Sequence, residues 1–544
     1  MSVREQVSGD LAKVVRERQD LSNEWLALEK SLLYSSEPPD KRDAAVDQAR
    51  RVRMTAIDQQ LSVLDARLEH EFPQYAAYAN PEPVSIEMAQ KLLRDDEALI
   101  LFHGAPAHDN IPQETFGWAI TKTKSRWFRA TLGPNAIAEH VRALRCGLDY
   151  EGAWTVLRSP CPQLLGVEYT RADKRAHKPL PFDLTRAYAL YTGLFGPIGD
   201  LIQGKQLLLV LSGPLTQLPF HVLVTAPPKI ALPSFAAGYR TAAWLARRHA
   251  VVVLPAVSSL KALRPPRETH ASRAFVGFGD PLLDGDPEKY EEDADRARLA
   301  REARCPTTDH QLTALLSDRR GRDQAVMRTT DGLADLSDIR KWPPLPETAN
   351  ELCEVAQDFG VDLASDLHMG AAATESEIKR LSNSGELAKY KVVHFATHAA
   401  ISGEVEGISE PGLILTPPDK PSRNDDGFLA ASEIATLKLD ADWVILSACN
   451  TAAGETRGAE ALSGLARAFL YAGARSLLVS HWEVASEPTV KLITATAREL
   501  KADPKISRAQ ALRLSMLAMI DKGRDFEAHP AFWAPFVLVG GAGP

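Results

Sequence analysis

The chain has 544 residues, 45% of them hydrophobic and 25% charged, with a formal net charge of −8. That is the balance of a globular protein with room for two to four domains, each with its own core. The acidic balance argues against a nucleic-acid-binding protein, and no apolar run approaches the roughly 20 residues that span a bilayer. The opening MSVREQVSGDLAKVV lacks the apolar core of a secretory signal. The five cysteines, Cys146, Cys161, Cys305, Cys353 and Cys449, are scattered without a CxxC pair. Neither a disulfide framework nor a cysteine zinc site is therefore expected, and a reducing cytoplasm is the natural compartment.

Leu11, Val14, Val15, Leu21, Trp25, Leu28 and Leu32 recur near helical spacing. YSSEPPDK, Tyr34 to Lys41, breaks the pattern because two prolines cannot sit inside a helix. Ile57, Leu61, Leu64 and Leu68 then follow at spacings of 4, 3 and 4, a short coiled-coil-like seam that favours an antiparallel helical hairpin, placed at 1–95, over a long coiled coil. No repeat of fixed period is visible.

From Ala98 the texture alternates between strands and helices. ALILFH, FGWAITKTKSRWFRATL (two strands about a polar turn), KQLLLVLSG and AVVVLP read as strands. Helices fall around Ile137–Leu144 and Leu184–Leu194. A first α/β region is placed at 96–268 and a second at 269–544, opening on RAFVGFGDP. The stretch near 284–341 is charged and poor in apolar residues, and reads as a solvated helix and loop or as a regulatory element. Next come a helix over Glu347–Phe359, the strand KVVHFAT, the strand DWVILSA, and the helix Gly458–Ala472 closed by Gly473. The strand RSLLVSHW, helices to about Asp521 and an aromatic-rich strand complete the chain.

Two strand ends carry chemistry. KYKVVHFATHA ends at His398 and DWVILSAC at Cys449, 51 residues later (449 minus 398). Ligands and catalytic groups gather at the carboxyl ends of parallel strands. A free thiol near pKa 8.5 is only a few per cent thiolate at neutral pH, so a nucleophilic cysteine needs a neighbouring imidazole. Backbone N–H groups of Cys449 and Ala399 are candidates for holding the oxyanion. His394 is the rival base. It lies on the same strand face as His398, which is nearer the strand end and preferred for that reason. Thr397 and Ser447 read as packing or hydrogen-bonding residues, since no GxSxG elbow accompanies Ser447. No residue cluster has metal-ligand spacing, so no cofactor is expected.

The sequence resembles the CHAT-domain proteins, caspase-like cysteine proteases related to separase. LSGPLTQLPFHVLV (Leu211–Val224), VVVLPAVSSL (Val251–Leu260), FGDP (Phe278–Pro281) and AATES (Ala372–Ser376) follow in family order. So do HFATHA (His394–Ala399), LSACNTAAGE (Leu446–Glu455), GLARAFLYAGARSLLVSHWEV (Gly464–Val484) and HPAFWAPFVLVG (His529–Gly540). The resemblance implies a caspase-like three-layer α/β fold, with a pseudo-caspase half beside an active half. It also implies a His398–Cys449 catalytic dyad and a specificity pocket at Ser447, His481, Trp482 and Glu483. Protein substrates cut at one or a few sites are implied, along with an activating protein partner. In some bacterial defence systems the target is a pore-forming protein of gasdermin type.

This chain departs from the family pattern in having Ala399 where glycine is usual after the histidine, WEVAS (Trp482–Ser486) where two carboxylates are usual, and no helical repeat array. A catalytically silent scaffold for protein interaction is the alternative function, with a small-molecule transferase or amidase a distant third.

Overall fold

In the computed structural model, the residues described are 13–14, 17–18, 21, 24–25, 28, 44–72, 84–105, 112–149, 160–168, 170, 180–234, 236–264, 270–286, 292–302, 305, 333–400, 411–422, 424–447, 458–482, 486–541 and 543. Among them the apolar runs form strands β1 (Glu97–Ala105), β2 (Glu114–Thr121), β3 (Ser125–Arg129), β4 (Gln206–Val210), β5 (Val251–Val253), β6 (Arg273–Pro281) and β7 (Leu367–Gly370). The later strands are β8 (Tyr390–Ala396), β9 (Ala399–Ala400), β10 (Gly412–Ile414), β11 (Phe428–Ala430), β12 (Trp443–Leu446), β13 (Ser476–Ser480) and β14 (Phe536–Gly540).

Eleven of these strands make one sheet in the order β3-β2-β1-β4-β5-β14-β13-β12-β8-β6-β7. β1, β4, β5 and β14 are mutually parallel, as are β13, β12, β8, β6 and β7. The two blocks meet at the antiparallel pair β13–β14. The last strand of the chain thus lies between the two regions read from the sequence, and the sheet is continuous across residue 268.

Both faces of the second block are covered, as a parallel sheet requires. Ala396, Ile445 and Leu478 face the helices Glu347–Phe359, Ser486–Ala502 and Arg508–Lys522, while Val393, Phe395, Val444, Leu446 and Val479 face Glu375–Asn383 and Gly458–Ala472. Each such fully buried Val, Leu, Ile or Phe side chain contributes on the order of 1.5–3 kcal/mol, before chain entropy is counted. The result is the three-layer α/β arrangement expected from the sequence. Gly473, at φ 117°, closes the Gly458–Ala472 helix where a Cβ would lie 2.0 Å from the Leu439 carbonyl oxygen, so glycine is required there.

The helix Ala44–Glu71 buries Ile57, Leu64 and Leu68, and Val14 and Leu21 pack on Leu64, Leu68 and Phe72. The ion pairs Arg18–Asp65 and Arg53–Glu24 run in opposite chain directions, which makes the packing antiparallel. Tyr471 of the Gly458–Ala472 helix leans on this cluster. The proline break at Tyr34–Lys41 lies outside the described residues.

Two expectations are corrected. Within the charged stretch, the helix Glu292–Glu302 is not solvated all round: Asp293, Arg296, Ala297 and Ala300 form a buried stripe. The stripe has helical spacing but is built from two charged residues and two alanines, so it gives no hydrophobic signal.

The cysteines do pair, Cys146 with Cys161 and Cys305 with Cys353, each at a Cα separation of 5.4 Å. Neighbours in space that lie 15 and 48 residues apart in sequence leave no spacing motif to read. Cys449 is the one cysteine outside both pairs. Thiol titration of the unreduced, denatured protein is expected to find one reactive thiol per chain, rising to five after reduction. Five before reduction would contradict the pairing. Loss of the Cys305–Cys353 link is expected to cost up to about 4 kcal/mol, by the loop-closure relation.

Candidate active site

β8 and β12 are adjacent and parallel, with Phe395 opposite Leu446, and the Ser447 N–H donates to the Phe395 carbonyl at 3.0 Å. β6 lies on the other side of β8, with Gly279 opposite Ala396. The carboxyl ends of these strands therefore share one edge of the sheet. Asp280, His398 and Ser447 all stand at that edge. Cys449, two residues beyond Ser447, lies outside the described residues.

His398 follows the end of β8 and is 7% exposed. Its Nε2 lies 2.8 Å from the Pro343 carbonyl oxygen, and its ring tilts against the Trp342 indole at 5.1 Å. A carbonyl oxygen only accepts, so Nε2 carries the proton and donates it. In the neutral ring Nδ1 is then the basic nitrogen. The contact thus sets both the tautomer and the tilt of the imidazole.

Ala399 opens β9 and pairs with Leu413, while Ile414 N–H donates to the His398 carbonyl. This register makes Ala399–Leu413 a non-hydrogen-bonded pair, so the Ala399 N–H points away from β10. Among the described residues Asp280 is the one non-glycine at positive φ, 49°. Ala399 therefore needs no glycine-like conformation. Thr397 Oγ1 donates to the Ile414 carbonyl, a hydrogen-bonding role as expected.

His394 is enclosed completely. Its Nε2 is 2.9 Å from Ser447 Oγ and 3.1 Å from Glu351 Oε1, and its ring meets Phe275 edge-on. Glu351 Oε1 makes no hydrogen bond despite that approach, so Ser447 Oγ is the hydrogen-bond partner of this nitrogen. Ser447 thus has the hydrogen-bonding role expected of it. Glu351 was legible as an anomaly: it shares a helix face with Thr348, Leu352 and Val355, a carboxylate among core positions.

The expected pocket residues are placed differently from one another. His481 and Trp482, just past β13, are buried, and the Trp482 indole N–H donates to the Ala531 carbonyl at 2.9 Å. Trp482 is thus packed into the core. Burial, then the Arg145 guanidinium and His221, push the His481 imidazole well below its ordinary pKa. Glu483 lies outside the described residues. Glu487 is exposed and ion-paired with Arg524.

The CHAT domain family model matches residues 185–541, a span that holds every residue of the edge just described. The chain belongs to the CHAT-domain family. It is 24% identical to tetratricopeptide repeat protein 28 of Mus musculus over 372 residues, covering 63% of this chain and 12% of that protein. With the Homo sapiens protein of the same name it shares 25% identity over 226 residues, 37% of this chain and 8% of that one. The crystal structure of the Saccharomyces cerevisiae separase–securin complex aligns with a TM-score of 0.40 at 10% identity, covering 96% of this chain and 40% of that chain. The CHAT-domain chain thus spans about an eighth of its first curated relative and well under half of the yeast chain. No helix among its described residues is long and apolar enough to cross a membrane.

Proposed function

We propose that this CHAT-domain chain is a cysteine endopeptidase in which His398 activates Cys449. The observation that carries the reading is the hydrogen bond from His398 Nε2 to the Pro343 carbonyl, at a strand end beside the strand that leads to Cys449. In the reaction, Nδ1 takes the thiol proton, and the sulfur attacks the peptide carbonyl carbon. The resulting oxyanion receives backbone N–H groups, those of Ala399 and Cys449 being the candidates. Collapse breaks the C–N bond, and the amine leaves with the proton from Nδ1. Water, deprotonated by His398, then hydrolyses the thioester and restores the thiol. While the ring is cationic, the Pro343 carbonyl supports its charge.

His394 is less suited to the role because its ring is fully enclosed and hydrogen-bonded to Ser447. The scaffold alternative had its foothold in Ala399, and the extended backbone there favours the enzyme reading. The substrate we propose is a protein cut at one or a few sites, after activation by a partner in a defence or regulated-death pathway, with a gasdermin-type protein as one class. Co-expression with proteins encoded beside this chain tests it. A new fragment with the wild-type chain and none with Cys449→Ala is the expected result. Fragments that persist with Cys449→Ala would overturn it.

The pocket before the scissile bond is expected to be neutral. Recognition of a guanidinium requires a desolvated carboxylate, yet Glu487 is exposed beside Arg524, and Ala485 and Ser486 stand where the resemblance to separase-like proteins implies acids. A peptide-library profile of the activated enzyme should show no exclusive demand for Arg or Lys. Strict Arg or Lys selection that disappears in Glu483→Gln would contradict this.

A further inference from the structure

We infer that Arg296, in the charged stretch between the β6 strand and the Glu347–Phe359 helix, is a positioning residue for His398. The inference rests on the cysteine-protease reading above and adds to it a role for a segment that the chemistry had not used.

The carbonyl that orients His398 belongs to Trp342–Pro343–Pro344–Leu345–Pro346, a segment in no sheet. Three of its five residues lack an N–H, so the segment cannot be held by a ladder of its own. Instead each successive carbonyl has its own donor. Pro343 O receives His398 Nε2. Pro344 O receives Arg296 Nη2 at 2.9 Å and Nε at 3.2 Å. Leu345 O receives the Thr348 N–H at 3.0 Å and its Oγ1 at 2.8 Å. Between the Pro343 and Pro344 carbonyl planes lie only φ and ψ of Pro344, and the ring locks φ. A forked guanidinium on the Pro344 oxygen therefore fixes, through one remaining torsion, the direction of the Pro343 oxygen.

Arg296 is built for the task. It is 8% exposed, and Nη2 also reaches Glu347 Oε1 at 3.3 Å. Its helix, Glu292–Glu302, is seated through Asp293, whose carboxylate accepts the Asp286 N–H at 2.7 Å, and through buried Ala297 and Ala300. Shortly beyond the helix, Cys305 is bonded to Cys353 on the helix that follows Pro346. A buried arginine is costly unless its hydrogen bonds are met, and this one serves a carbonyl one residue from the one His398 uses.

The test is the pH dependence of Cys449 alkylation by iodoacetamide, mapped by mass spectrometry on the full chain, for the wild type, His398→Ala, Arg296→Ala, Arg296→Lys and Arg301→Ala. Arg301 lies on the same helix and pairs with Asp284 at the surface. In the wild type an imidazolium-supported thiolate should react at pH 6 well above the rate of an ordinary thiol. Arg296→Ala should lower that acid-side rate about tenfold, towards the His398→Ala value, with the curves converging above the ordinary thiol pKa of about 8.5. Arg301→Ala should follow the wild type. Arg296→Lys keeps the charge without the fork and should fall between. If Arg296→Ala does not fold, the lysine variant decides: an intermediate acid-side rate supports the inference and a wild-type profile overturns it. A wild-type profile in Arg296→Ala, or an equal loss in Arg301→Ala, also overturns it. A wild-type chain whose Cys449 reactivity ignores His398 would instead defeat the protease reading itself.

Discussion

Replacing Cys449 with alanine is expected to reduce proteolysis below detection, and His398→Ala to reduce it by on the order of 10³-fold or more, because nucleophile and base act as a unit. The two losses should not add in the double variant. His394→Ala should cost far less, about tenfold, since that ring touches Ser447 and Glu351 rather than the Pro343 carbonyl. Cleavage of a co-expressed substrate, followed by gel, ranks the three. If His394→Ala abolishes turnover while His398→Ala leaves it intact, the base has been assigned to the wrong histidine.

Mild acid is expected to destabilise the fold before the bulk of its carboxylates titrate. Burial, then Arg513, push His221 down to about 4, and burial pushes His529 down to about 4 against the opposing hydrogen bond to Leu180 O. A histidine whose folded pKa is lowered binds protons more readily in the unfolded chain, so stability is full above about pH 6.5 and is lost as pH falls towards 4. At pH 5 each of the two costs about 2 kcal/mol, as an order of magnitude. Scanning fluorimetry should show the melting midpoint falling by several degrees between pH 7 and pH 5. Both nitrogens of His221 lack a hydrogen-bond partner, so His221→Leu should shrink that fall. An unchanged fall in the variant would contradict the account.

Much of the architecture was legible because the second block of strands is buried on both faces. Runs such as VVHFA and WVIL cannot be read as anything solvent-facing, and Gly473 stands where a chain reversal needs it. His398 was legible for the same reason, as a polar residue at the end of such a run. What orients it was not, because the Pro343 carbonyl lies 55 residues away and a backbone oxygen carries no side-chain signature. The burial of Trp482 was not legible either, because nearness to a strand end in sequence does not say which way an indole turns, and this one turns inward to Ala531. The buried stripe of Asp293, Arg296, Ala297 and Ala300 was invisible to any reading keyed to large apolar side chains.

The central claim, that His398 makes Cys449 a nucleophile, is tested most directly by a peptidyl acyloxymethyl ketone, which is attacked by activated cysteine nucleophiles and leaves a stable thioether. After incubation of the native chain, tandem mass spectrometry should place the adduct on Cys449 alone in the wild type and find it nearly absent in His398→Ala. An adduct spread over several cysteines, or one on Cys449 that forms equally fast without His398, would contradict the account.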